Sequence, residues 1–531
     1  MYPSKLPLPR LRLFVIVLLV LGICFRVVNL DRKVYWGDEV YTSIRVSGYT
    51  TAEIVQTVTQ APTTAGALQK FQRPSADKGL SGTIQGLITE EPQLTPLYFI
   101  SLRFWTTWFG DSVTAARSLS VVFGLLALPC LYWFCLELFG SSTVGLIAVA
   151  LVAISPLHLV YAQEARMYSL WILTTLFSGA TLLRAIRLPT WANWLSYTLA
   201  VMLTLYASFL SVVVLLGYGA YVFLMTIRRQ RSLFFAYLLA TLVGFITFSP
   251  WVLIFLQNNT SSSFAGEGDG SAESLVAALK HWAGILSRGF VDFNLTSESP
   301  PQQLALLAIV ILLLLGLIGY ALYFLVRHGA HQSRLFLLIL MLGVPIAFLP
   351  RSLSPDIPPR YLIPTYLAIE FAIANLLAAK LTLSVNWGQK FWRTVTVLVI
   401  SAGVLSCVVS AQAEGWWNKQ FSNCNAPIAR VVNQATAPLV VSDLAGGIFD
   451  SALSNIISLS HRLHPTVAMQ ILPVQSTAVP LFDRAQTVFV LMPSPELRSR
   501  LQKNYQLEAL ITDTKNSRDS DVCFWKLSQM K

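Results

Sequence analysis

Three short stretches carry charged residues of types that could do chemistry. In VYWGDEVYTS (34–43), Asp38 and Glu39 stand side by side among Tyr35, Trp36 and Tyr41. In YAQEARMY (161–168), Glu164 and Arg166 are two residues apart, so on a helix they would not face each other and each is free to meet a third group. In RSLSPDIPPRY (351–361), Pro355, Pro358 and Pro359 hold the backbone extended, which presents Asp356, Arg360 and Tyr361 from a stiff loop. A carboxylate can accept the proton of an attacking hydroxyl. The planar fork of arginine matches phosphate and can stabilise charge that develops on a departing one. Bland alternatives exist for each stretch: acids that close or cap a helix, an ion pair that locks two helices, an arginine that meets lipid headgroups.

The elements that must position these residues are membrane helices. The chain has 531 residues, 54% of them hydrophobic and only 12% charged, where a soluble protein carries about 25%. Apolar runs are expected to span the bilayer at approximately 12–30, 117–138, 142–159, 168–186, 192–206, 208–227, 232–256, 302–326, 333–350, 361–380 and 393–411. The net charge of +12 does not form a stripe that tracks nucleic-acid phosphates. It collects between apolar runs, at Arg184 and Arg187, at Arg228, Arg229 and Arg231, at Arg327 and Arg334, and at Lys380, Lys390 and Arg393. That pattern is positive-inside topology, and nucleic acid is not an expected partner.

One further apolar segment, TPLYFISLRFWTTWF (95–109), is left out of the count. Counted as a span, it would turn all four basic groups outward; left out, each falls in the cytoplasm. With Arg103 and its many aromatics, it suits a helix lying in the interface. The expected fold class is therefore mainly α, a polytopic protein with about 11 transmembrane helices and a cytoplasmic N-terminus. Lys5, Arg10 and Arg12 precede the first apolar run with no small-residue cleavage site after it, which suggests an uncleaved anchor. The segments 31–94, 160–167, 257–301, 351–360 and the tail after 411 then face outward. They hold the three charged stretches or their greater part, and Arg117 opens the span 117–138 from the outer side, its sign against the positive-inside trend.

Residues 1–411 form the expected membrane domain, with 31–110 as its first outer loop, and 412–531 a small extracytoplasmic α/β domain. In that tail PLVVSD (438–443), TVFVLMP (487–493), LEALITD (507–513) and VCFWKL (522–527) read as strands, with helices around 447–460 and 495–503. It has no glycine-rich phosphate motif; acceptor binding or a structural role is expected of it. Cys424 and Cys523 lie near its two ends and could pair in an oxidising compartment, which spacing alone leaves open. The remaining cysteines lie in membrane segments, where small apolar packing accounts for them. No metal-spaced cluster of His or Cys occurs. His158 reads as a packed or interfacial histidine, and the N-x-S/T triplets at Asn258 and Asn294 matter only in a glycosylating compartment.

The order of motifs resembles the lipid-linked sugar transferases of the glycosyltransferase C superfamily. The likeness is to the family 39-like branch, which includes protein O-mannosyltransferases and the bacterial aminoarabinose transferases of lipid A. It is carried by WGDEVYTS (36–43), TPLYFISLRFWTTWFG (95–110), AARSLSVVFG (115–124), SPLHLVYAQEARMYSL (155–170) and PRYLIPTY (359–366). The resemblance implies an inverting glycosyltransferase with a polyprenyl-phosphate sugar as donor and a protein, lipid or glycan as acceptor. It makes Asp38 the catalytic base, with Glu39 as a supporting or alternative carboxylate. Glu164 and Arg166 would order the site and hold the donor phosphate, with Arg360, Tyr361 and Arg117 contacting the phosphate or its lipid. A divalent metal is possible but not indicated. A multi-pass protein of a bacterial plasma membrane follows as the expected location.

Two features depart from the family pattern. Many relatives carry His-Pro-Pro or Lys-Pro-Pro before Leu-Tyr, whereas this chain reads Leu94-Thr95-Pro96, without the basic residue. The stretch Ala61–Gly86, rich in Thr, Ala, Gly and Gln, lacks hydrophobic periodicity and is expected to be mobile, a candidate gate for the acceptor. Two rival functions are a transporter or lipid flippase and a nonenzymatic envelope assembly protein. A transporter predicts repeated halves and ionisable residues at the bilayer midplane. No internal repeat is evident, and the suspicious charges sit at outer span ends.

Overall fold

A computed structural model describes residues 9–226, 231–258, 275–296, 298–348, 357–382, 387–444, 451–473, 482, 486–512 and 522–529. Helices occupy every expected span. Six are long and apolar enough to cross a membrane: Val113–Phe139, Tyr168–Arg187, Arg231–Asn258, Pro301–His328, Pro359–Leu381 and the one beginning at Trp387. A bent pair, Ser142–Ala153 and Pro156–Ala162, adds a seventh. The expected count of eleven is not established by these criteria. Three of the remaining helices have only 16 or 17 residues. The fourth, Pro9–Val27, carries Arg10, Arg12 and Arg26. The segment left out of the span count forms a 14-residue helix, Pro96–Phe109, with Phe104, Trp108 and Phe109 exposed toward its end. Arg103 turns inward instead, donating to the Val46 carbonyl at 2.6 Å and to Thr83 Oγ1 at 3.1 Å.

The bent pair matters because its second half leads into the 161–168 stretch. Pro156 has no N–H to continue the ladder, and the chain turns by 63° at the break. Carbonyls freed there inside a membrane must find donors. Arg26 supplies two, to Ala153 O at 2.6 Å and Val152 O at 3.0 Å, and Cys407 Sγ lies 3.1 Å from Ile154 O. The Pro9–Val27 helix can reach this point because residue 22 is glycine: a Cβ there would stand 2.5 Å from Ala153 O.

Outside the helical bundle lies one six-stranded sheet, in the order β1 (Thr63–Thr64), β3 (Ala468–Leu472), β2 (Pro438–Asp443), β4 (Thr487–Leu491), β6 (Val522–Gln529), β5 (Tyr505–Thr512). β2 runs parallel to β3 and β4, while β1, β5 and β6 pair antiparallel with their neighbours. The buried faces of β2, β3 and β4 carry Val440, Met469 and Phe489, packed under the helix Ser451–Ser460. Cys424 and Cys523 form a disulfide that ties the turn Trp417–Cys424 to β6.

The stretch Ala61–Gly86 is not the mobile insert expected from its composition. It supplies β1, with Thr63 opposite Met469 and Thr64 opposite Ala468, followed by three short helices and the helix Gly79–Glu90. Its missing periodicity has a physical cause: these elements are too short to show a repeat, and they bury single anchors such as Leu68, Phe71 and Leu87. The first outer loop is thereby stitched to the tail. Val34 N donates to Glu414 O at 2.8 Å and Gln69 Nε2 to Ser460 O at 2.9 Å.

Candidate active site

The helix Gly37–Ser47 follows the helix Pro9–Val27 after nine residues of turn. Its start packs directly on the Ser451–Ser460 helix: a Cβ on Gly37 would stand 2.9 Å from Ser454 Oγ. Asp38 and Glu39 occupy its first turn, where the helix dipole favours carboxylates. Successive residues on a helix point about 100° apart, given 3.6 per turn. One acid therefore faces inward when its neighbour faces a cavity.

Glu39 faces inward. Arg117 grips it bidentately, Nε to Oε1 at 2.8 Å and Nη2 to Oε2 at 2.7 Å, and Ala165 N donates to Oε1 at 2.9 Å. Lys419 Nζ lies 3.4 Å from Oε2 and 2.7 Å from Glu164 Oε1. The other N–H groups of Arg117 are taken by the carbonyls of Leu30, Lys33 and Val34. Lys33, from the same turn, donates to Gln163 Oε1 at 2.9 Å. Glu39, Arg117 and Lys419 are fully buried. Burial pushes the Glu39 carboxyl up, but Arg117 and then Lys419 outweigh it and hold it down at about 2. Burial, reinforced by Lys419 and Arg117, pulls the Lys33 ammonium down to about 7.

Asp38 faces a cavity of about 440 Å³, in the size range of small-molecule sites. Its side chain is 28% exposed, with Oδ2 at 3.6 Å from Arg166 Nη2 and 4.0 Å from Arg360 Nη2. Arg166 is fixed by Nη1, which donates to Asp38 O at 3.2 Å and Thr42 Oγ1 at 3.0 Å, while its buried Nε has no hydrogen-bond partner among the described residues. Arg360 sits on the 3₁₀ turn Pro359–Leu362, its guanidinium 5.9 Å from the Trp36 ring and 5.5 Å from the Tyr361 ring. Aromatic faces hold a cation without consuming its N–H groups. These remain available to an anion.

Of the residues singled out from sequence, Asp38, Arg166, Arg360 and Tyr361 line one cavity. Glu39, Glu164 and Arg117 do not line it. Arg117 cannot touch a donor phosphate as arranged, since its N–H groups are spent on Glu39 and on backbone carbonyls. Glu164 is likewise enclosed, held by Lys419 and by Asn418 Nδ2 at 2.5 Å. The reason is charge balance: a buried acid is tolerable only with a cation against it, and these residues balance one another. Asp356 lies outside the described residues. His158 is buried and pairs with Glu370 at 2.9 Å.

Lys419 was missed. It comes from the turn Trp417–Cys424, and a signal was available in GWWNKQ (415–420), a lysine on the outer side of the last span beside two tryptophans. The same contrary sign had drawn attention to Arg117. The next residue, Gln420, also lines the cavity and has φ +46, a backbone state that non-glycine residues rarely take. For a metal the setting fits poorly. The cavity carboxylate Asp38 is flanked by arginines, and among the described residues no group of three or more His, Cys, Asp or Glu could hold an ion.

Comparison with known proteins gives two findings. The family model for dolichyl-phosphate-mannose-protein mannosyltransferases matches residues 91–254, less than half of the chain. Two crystal structures of ArnT from Cupriavidus metallidurans match over nearly the whole chain, each at 13% identity. The form bound to undecaprenyl phosphate gives a TM-score of 0.53, covering 98% of this chain and 97% of that one. The apo form gives 0.56, covering 97% and 98%. No curated protein matches the chain in sequence. The resemblance to the glycosyltransferase C superfamily is borne out, and the fold is ArnT-like. At this identity the structural likeness speaks for the fold, not the reaction.

Proposed function

We propose that this protein transfers a sugar from a polyprenyl-phosphate carrier to an acceptor hydroxyl on the outer membrane face, with Asp38 as general base. One observation carries the reading: a partly exposed carboxylate stands in a cavity wall between two arginines, and no hydrogen bond within 3.5 Å ties it to either. In the proposed step the acceptor oxygen attacks the anomeric carbon and its proton passes to Asp38. The bond from that carbon to the phosphate oxygen breaks with inversion, and the departing phosphate takes the electron pair. Arg166 and Arg360 stabilise the charge that arrives on it. Tyr361 and Trp36 flank Arg360 and keep its guanidinium aimed at the cavity.

Glu39 takes no proton in this scheme. Together with Arg117, Lys419 and Glu164 it forms the ionic floor that joins the Gly37–Ser47 helix, the 163–166 turn and the tail, and so holds Asp38 and Arg166 in place. The basic clusters between spans support a cytoplasmic N-terminus and an outer tail. The 412–531 region then completes the site through Lys419 and the turn around it.

The test is incorporation of labelled sugar from polyprenyl-phosphate mannose into membranes of the producing cells, by purified wild-type and Asp38→Asn protein. Wild type should label an acceptor and Asp38→Asn should not, while both bind bare polyprenyl phosphate equally. Transfer by Asp38→Asn at the wild-type rate would remove Asp38 from the base role.

A further inference from the structure

The cavity wall divides by charge. Asp38, Glu91, Arg166, Arg360 and Lys419 supply its ions, and uncharged polar groups come from Gln93, Gln420, Ser422 and Asn455, beside Ser454 and tyrosines such as Tyr361. The two amide-bearing glutamines, Ser422 and Asn455 come from segments outside the membrane helices. Gln93 lies in the turn before the Pro96–Phe109 helix, Gln420 and Ser422 in the Trp417–Cys424 turn, and Asn455 in the Ser451–Ser460 helix.

This part of the wall is built in advance. Asn455 is 2% exposed; its Oδ1 accepts from Asn425 Nδ2 at 3.0 Å and its Nδ2 donates to Met492 Sδ at 2.8 Å, which fixes the amide and leaves a second N–H. Ser422 is 4% exposed and lines the cavity. The disulfide from Cys424 to Cys523 anchors the turn that carries it.

Every carboxylate on the wall is already matched by a cation. Glu91 accepts from Arg45 Nε at 2.8 Å, and Asp38 lies between Arg166 and Arg360. An ammonium group entering the cavity would find no unmatched acid among the described lining residues and would meet Arg166 and Arg360, two guanidiniums against the single carboxylate of Asp38, a like-charge arrangement that rejects a ligand. A neutral group rich in hydroxyls would instead meet amides, a hydroxyl and the rings of Trp36 and Tyr361.

Resting on the polyprenyl-phosphate reading above, we infer that Gln93, Gln420, Ser422 and Asn455 form the subsite for the transferred group, and that this group is a neutral sugar, not an amino sugar. The arginines hold the phosphate and the uncharged wall reads the ring attached to it.

The experiment measures equilibrium binding to full-length protein in lipid nanodiscs. Three ligands of equal chain length are compared: bare polyprenyl phosphate, polyprenyl-phosphate mannose and a polyprenyl-phosphate amino sugar. The mannose form should bind roughly tenfold tighter than the amino-sugar form, the effect of one charge placed among like charges. Ser422→Ala and Asn455→Ala should each weaken mannose-lipid binding about three- to tenfold, as expected for a lost neutral hydrogen bond, and leave bare polyprenyl phosphate unchanged. Equal or tighter binding of the amino-sugar lipid overturns the inference. So does an equal loss of bare-lipid binding in both variants, which would mark them as structural. Failure of wild type to bind even bare polyprenyl phosphate overturns the donor reading itself.

Discussion

Across the first turn of the Gly37–Ser47 helix the charge environment reverses. Asp38 stands partly exposed, 3.6 and 4.0 Å from its two arginines, while Glu39 is sealed in bidentate contact with Arg117 at 2.7 and 2.8 Å. The two regions solve different problems. A base must have room for a proton and a substrate, so its cations stand back. A structural acid must never be left unpaired in a low-dielectric interior, so its cations close in. On the proposed function, adjacent residues of nearly the same chemistry thus serve catalysis and architecture separately.

That contrast can be broken by exchanging which acid is neutralised. Asp38→Asn should lower transfer by about 10²–10⁴-fold, the usual size of a general-base contribution, with little change in Tm. Glu39→Ala should do the opposite, destabilising the protein by about 3–5 kcal/mol because it strands Arg117 and Lys419. Thermal unfolding in detergent checks it, and an unchanged Tm would mean that the buried cluster is not structural. Replacing Glu39 and Arg117 together with apolar residues should cost less than removing Glu39 alone.

Smaller effects sharpen the comparison. Arg360→Ala should weaken polyprenyl-phosphate binding by roughly tenfold or more, the loss of a charged hydrogen bond, while Tm stays near wild type. Unaltered affinity would reject a phosphate role for Arg360. Acid should act through Glu39 and through His461, whose ring packs edge-on against Tyr35 with centroids 5.0 Å apart. Burial, with Arg117 next, depresses the His461 imidazolium to about 4 from 6.5, and Glu39 is held at about 2 from 4.5. Both groups take up a proton more readily when unfolded. Their stabilising contribution is complete above pH 6.5, falls first with His461 between 6.5 and 4, and then with Glu39 between 4.5 and 2. His461→Asn should abolish the upper part of that loss in a Tm-against-pH series and leave the lower.

Much of the scaffold was legible from residues. Apolar length and the placement of Arg184, Arg187 and Lys380 located the helices and singled out 95–109 as different. Short apolar, β-branched-rich runs bounded by turn residues located β2, β4, β5 and β6. The strands β1 and β3 escaped notice for physical reasons: two residues are too few to stand out from loop, and Gln470 interrupts the apolar run of β3, whereas β4, equally five residues long, is continuous. The candidate site was half legible. Asp38, Arg166, Arg360 and Tyr361 could be listed because charge in an apolar chain is conspicuous. Lys419 was overlooked because one lysine after a last span looks like ordinary solvation.

By itself, the sequence determined the medium and the materials: a chain this apolar must satisfy its backbone in helices, and its ordered motifs point to lipid-linked sugar chemistry. Tertiary structure alone decided which charges are open and which are spent. Asp38 and Glu39 have the same sign, similar intrinsic acidity and adjacent positions, so nothing local separates their roles. Their partners Arg117, Ala165, Arg166, Arg360 and Lys419 arrive from distant parts of the chain, and the fold alone sets whether they stand 2.7 or 4.0 Å away. Electrostatic energy depends on that distance and on access of water, neither of which one dimension records.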